Sequence, residues 1–151
     1  MNAHTDGFGI GCDGLRERIG EWVKTRGEDF LCFTDHNVLQ SNKNRWVDIA
    51  KKKDTGTDAY NKLKKRFPDW VEERKVKGRT EVRLRTFAEV SEKLAVPGEF
   101  LLIQGEEITD RFKNSPVHMN ATNIQSLIPP LGGDSVYETM QNNVKDRKSV
   151  V

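Results

Sequence analysis

Apolar positions in this chain follow two periods, and the two alternate. After a polar, Gly-rich opening, Leu15, Ile19, Trp22 and Val23 fall at i, i+4, i+7 and i+8, one stripe of a helix. Asp13 is placed to cap its start and Gly27 to stop it. A short run follows, Phe30-Leu31-Cys32-Phe33, which predicts a strand buried on both faces and ending in Thr34-Asp35-His36-Asn37. The alternation then repeats. Thr86 with Glu89 forms a capping box, Phe87, Val90 and Leu94 supply the apolar face, and Pro97-Gly98 breaks the chain. Phe100-Leu101-Leu102-Ile103 makes a second buried strand that ends in Gly105-Glu106-Glu107, and a shorter candidate strand, Val117 to Ala121, contains His118. Helix-then-strand order of this kind predicts a mostly parallel α/β sheet or barrel.

Between the two repeats the sequence changes character. From Ser41 to about Arg85 it is rich in Lys and Arg, with helical stretches expected around Trp46 to Lys53 and Tyr60 to Arg66, then, after Pro68, on to Lys77. We read residues 42–85 as a basic helical insertion after the second strand. Trp46, Tyr60, Phe67 and Trp70 are interleaved with its cations, a combination that suits nucleic acid or another polyanion. A solvated helical face with docked aromatics is the plainer alternative.

Composition narrows the class. The 151 residues are 35% hydrophobic and 32% charged, with a net charge of +2, enough for one domain with a core. No apolar run approaches the roughly 20 residues of a membrane span, and the first residues have neither the basic start nor the apolar stretch of a signal peptide. Cys12 and Cys32 suggest no disulfide framework, so the expected compartment is the reducing cytoplasm.

Chemistry gathers at the strand ends. Asp35-His36 closes one predicted strand and Glu106-Glu107 the other, and parallel α/β folds build their sites at the carboxyl ends of strands. The chain has three histidines, His4, His36 and His118, and each falls in the Gly-rich opening or in a strand context. Imidazole and carboxylate together suit Zn, Mn or Fe.

Taken in order, these residues resemble the PHP (polymerase and histidinol phosphatase) family of metal-dependent phosphoesterases. That family begins with His-x-His-Thr and a nearby Asp-Gly; here stand Asn2-Ala3-His4-Thr5 and Asp13-Gly14. Its strand ending Thr-Asp-His corresponds to Phe33-Thr34-Asp35-His36, its Gly-x-Glu-Ile-Thr to Gly105-Glu106-Glu107-Ile108-Thr109, and its next histidine to His118. The resemblance implies an α/β fold, a partial (β/α) barrel of the PHP type, and hydrolysis of a small-molecule phosphate ester by two or three divalent ions. It implies His4, Asp13, His36, Glu107 and His118 as metal ligands, Asp35 as the residue orienting catalytic His36, and Glu107 rather than Glu106 as the bridging carboxylate. Asp6 competes with Asp13 for its role. Asn2 stands where the family has its first histidine, which leaves an inactive PHP-like domain as an alternative beside the polyanion-binding module. We expect a partial PHP domain over residues 1–145, weak or inactive alone because later family motifs are missing, with the natural protein extending further. Residues 146–151 resemble a translated sequencing adapter and are read as a non-native tail, an ordinary polar tail being the alternative.

Overall fold

A computed structural model describes residues 2–3, 16–50 and 55–145. Along the chain these form β1 (Asn2–Ala3), α1 (Arg16–Thr25), β2 (Phe30–His36), β3 (Trp46–Asp48), α2 (Thr55–Arg66), a 3-10 turn (Pro68–Trp70), β4 (Glu73–Val76), β5 (Arg79–Arg83), α3 (Phe87–Leu94), β6 (Leu101–Phe112), β7 (Ser115–Thr122) and α4 (Val136–Lys145).

The larger sheet has the order β1-β2-β6-β7. β1, β2 and β6 run parallel, whereas β7 returns antiparallel along β6. One face of this sheet packs on α1 and α3. Leu31, Phe33 and Leu102 from the strands, Val23 from α1, and Val90 and Leu94 from α3 form a single buried cluster with Phe100. Each such side chain, buried whole, contributes on the order of 1.5–3 kcal/mol. The Thr86–Glu89 capping box forms as its spacing predicts, with Thr86 accepting from the Glu89 N–H and Glu89 accepting from the Thr86 N–H. The helical stripe expected before β2 is only partly inward. Ile19 and Val23 join the core, but Trp22 is 53% exposed and carries the Arg26 guanidinium 4.7 Å above its ring.

The expectation of a partial (β/α) barrel is wrong for these residues. The four-stranded sheet ends at β1 on one side and β7 on the other, and no barrel closes among the described residues. A barrel needs each new strand to arrive parallel, through a crossover helix. Here only Lys113 and Asn114 separate β6 from β7, so β7 must fold back as a hairpin. The molecule is an α+β structure with two sheets.

The basic segment is also not the helical insertion expected from its composition. Among its described residues only Thr55–Arg66 is an α-helix; Trp46–Asp48 and the stretch after Pro68 enter a second sheet of order β3-β5-β4, antiparallel throughout. Its organising signal is Lys77-Gly78. Both residues have positive φ (49° and 77°) and they link Val76 to its partner Arg79, the two-residue hairpin turn that matches strand twist. Lys- and Arg-rich strands look helical by propensity, and the alternation beneath is short: Val82 and Leu84 face a buried cluster with Ala59 and Leu63 of α2, while Glu81 and Arg83 take the other face and enter ion pairs. Among the described residues no helix is long and apolar enough to cross a membrane.

Candidate metal centre

Parallel pairing sets His36 on β2 directly beside Glu107 on β6. Antiparallel pairing sets Thr109 beside His118 on β7. Because side chains alternate along a strand, Glu107 and Thr109 share one face of β6, and the two histidines flank them from the neighbouring strands. Three strands thus bring three ligand-type side chains to one patch, the face opposite the α1–α3 core.

The geometry is close. His36 Nδ1 lies 3.4 Å from Glu107 Oε1 and 2.5 Å from Thr109 Oγ1. His118 Nδ1 contacts Glu107 Oε1 directly and lies 3.4 Å from Thr109 Oγ1. The imidazoles meet edge to face, with ring centroids 5.5 Å apart. The Glu107 side chain is 8% exposed, against 28% for His36 and 40% for His118. A carboxylate is therefore enclosed between two imidazoles that solvent reaches.

One ligand atom from each of His36, Glu107 and His118 can be chosen so that all lie within 4.8 Å of one another. Bonds of about 2.0–2.2 Å at a tetrahedral ion put ligand atoms roughly 3.3–3.6 Å apart. The His36–Glu107 separation already lies in that range, and the Glu107–His118 contact has only to open slightly. Two histidines and one glutamate are also a donor set of catalytic zinc sites, which keep a further position for water, and of open iron sites. These residues fit a divalent transition-metal ion.

Two groups that the sequence did not single out hold the cluster together. Thr109 places its hydroxyl between both Nδ1 atoms. Asn37, just past β2 at φ 48°, donates Nδ2 to the Thr109 carbonyl at 2.9 Å and accepts the Thr109 N–H on Oδ1 at 2.8 Å. Its side chain thereby continues the β2–β6 ladder one step beyond His36. Thr109 stands two residues after Glu107, the spacing of a shared strand face, and that was the signal available.

Asp35 was expected to orient His36; the two residues take opposite faces of β2. Adjacent strand residues point to opposite faces. Asp35 is buried on the core side of β2, where Oδ2 accepts from Gln40 Nε2, and the residue against His36 Nδ1 is Thr109. Glu106 is likewise directed away from the cluster, fully buried and accepting the Ile128 N–H at 2.9 Å, so Glu107 is the carboxylate of the site. Asp35-His36 closes β2 as expected, whereas Glu106-Glu107 lies in the middle of β6, which runs on to Phe112. His4, Asp6, Cys12, Asp13 and the tail 146–151 fall outside the described residues.

Several cations of the basic segment meet carboxylates within it or in α1 and α3. Arg83 and Arg85 share Glu72 and Glu89, Lys64 pairs with Glu73 at 2.7 Å, Arg74 with Glu81 at 2.6 Å and Arg66 with Glu21 at 2.5 Å. Its aromatics are occupied in the same way: Arg74 covers Trp46, and Arg85 and Lys93 cover Trp70.

Comparison with protein-family models, curated proteins and solved structures found no match to this chain.

Proposed function

We propose that this chain carries a metal centre for phosphate-ester hydrolysis, with His36, Glu107 and His118 as protein ligands. The observation that carries the reading is their convergence from β2, β6 and β7 on one sheet face. The order of motifs from Asn2 to His118, similar to that of PHP phosphoesterases, supports the same chemistry.

A Zn, Mn or Fe ion held by His36, Glu107 and His118 would supply an activated water and charge neutralisation for the phosphoryl oxygens. The chain supplies the rest. Glu107 would contribute the negative charge that helps hold a cation. Thr109 packs its hydroxyl against both rings, and Asn37 fixes the Thr109 backbone against β2. The exposed edges of His36 and His118 leave the site open to a substrate from solvent. In the reaction the water oxygen bonds to phosphorus, the ester P–O bond breaks with its electron pair on the leaving oxygen, and that oxygen takes up the water proton. The products are an alcohol and inorganic phosphate.

The test is metal content and turnover together. Purified wild-type chain, loaded with Mn or Zn and desalted, retains metal, whereas His36→Ala and His118→Ala lose it. With p-nitrophenyl phosphate, the wild-type rate exceeds that of His36→Ala. Equal metal retention and equal turnover by wild type and His36→Ala would rule the assignment out.

A further inference from the structure

We propose that Arg111, with Lys113 beside it, is the anion-binding subsite of this centre, and that it selects the terminal phosphate of a monoester. The inference rests on the hydrolase reading above and names the substrate class for it.

Strand alternation carries the argument. Glu107, Thr109 and Arg111 project from the same face of β6. The β6–β7 register is unbroken, pairing Thr109 with His118 and Arg111 with Pro116. Arg111 therefore follows the cluster along β6, on the far side of Thr109 from Glu107. At about 3.4 Å per residue the Cα atoms of Thr109 and Arg111 are about 7 Å apart, a distance that an arginine side chain covers.

A cavity of about 290 Å³ lies there, lined by Thr109, Asp110, Arg111, Lys113, Asn114 and Pro116. Of the cluster residues, Thr109 lines it. Its cations are available. Arg66, Arg74, Arg79, Arg83 and Arg85 each rest on a carboxylate, but the Arg111 guanidinium meets no side-chain partner among the described residues. Lys113 lies 5.1 Å from the Phe112 ring at the hairpin turn. The one anion in the lining, Asp110, is already committed: it accepts from Asn143 Nδ2 at 2.7 Å, Gly132 N–H at 2.9 Å and Arg111 N–H at 2.7 Å.

A planar guanidinium fork matches two oxygens of a phosphoryl group. A terminal phosphate has three non-bridging oxygens and close to two negative charges, enough to face the His36–Glu107–His118 cluster and Arg111 at once. A diester has two such oxygens, one charge and a second substituent, and so loses one side of this clamp.

The experiment titrates inorganic phosphate, phenyl phosphate and diphenyl phosphate into the full chain by calorimetry, with and without Mn, for wild type, Arg111→Gln and Arg111→Lys. Metal retention is measured in parallel. Arg111→Gln keeps its metal and binds phosphate and phenyl phosphate about 10–100-fold more weakly. Arg111→Lys recovers part of the loss, and diphenyl phosphate binds wild type at least about tenfold more weakly than phenyl phosphate. Undiminished phosphate binding by metal-retaining Arg111→Gln overturns the subsite while the metal centre stands. Equal affinity for the diester overturns the monoester selectivity. Failure of wild type to retain metal sinks the hydrolase reading instead. The metal-free titrations then decide Arg111 alone: binding lost in Arg111→Gln supports the anion site, and binding unchanged ends it.

Discussion

Asn37 and Thr109 exchange two hydrogen bonds, side-chain amide to backbone, at 2.9 and 2.8 Å. The Asn37 side chain thus stands in for a strand where β2 has stopped, and it holds the register that puts His36 against Thr109 and Glu107. Asn37→Ala removes both bonds at a part-buried position. We expect a loss of about 1–2 kcal/mol in stability and a fall of roughly 10-fold or more in metal affinity, as for groups that orient ligands from behind. Asn37→Asp keeps the acceptor for the Thr109 N–H and loses the donor, so it should fall between. Denaturant melts and Zn competition titrations check this; unchanged affinity in Asn37→Ala would show that the register is held by the sheet alone.

Gly105 marks the closest approach behind the cluster. A Cβ there would lie 2.6 Å from the Ala121 carbonyl oxygen and 2.8 Å from Cys32 Sγ. The first obstacle is backbone and cannot turn aside, so Gly105→Ala should destabilise by about 1–3 kcal/mol. The measurement is the urea midpoint at constant m-value. A midpoint equal to wild type would mean that β7 shifts freely along β6, and the alignment of His118 with Glu107 would lose its structural support.

Acid should act through Glu89. Its hydrogen bond to Arg83 is the largest influence, holding the carboxyl well below the ordinary glutamate range; burial pushes the other way, and the Thr86 donors add to the lowering. Because the folded value lies below the unfolded one, the stabilisation is fully present above about pH 4.3 and fades as pH falls from there through the folded value. Glu89→Gln keeps the capping-box geometry and removes the charge. It should cost about 2 kcal/mol at pH 7, the scale of hydrogen bonds to a charged group. The gap to wild type should narrow on going to pH 3. A gap that is constant or wider in acid would contradict the assignment.

Much of the site was legible because ligand residues stand in fixed relation to strand patterns. The apolar runs before His36 and Glu107 located β2 and β6, and Val117 to Ala121 located β7 around His118. The direction of β7 was not legible: whether a strand returns parallel or antiparallel depends on the two-residue link Lys113-Asn114, and the pattern of β7 is the same either way. That Asp35 and His36 take opposite faces follows from strand alternation once β2 runs through His36. Thr109 and Asn37 were passed over because neither type signals a site until pairing across strands brings it there.

The sequence by itself determined that the β2, α3 and β6 segments are buried, where α3 begins, and which residue types are available to bind a metal, since these follow from local periodicity and capping. Tertiary structure alone decided that the sheet stays open, that the basic segment folds as a helix and a three-stranded sheet, and that Arg111 lies beyond His118 on the face of Glu107. Those outcomes depend on strand register and direction, which are set by hydrogen bonds between residues distant in the chain.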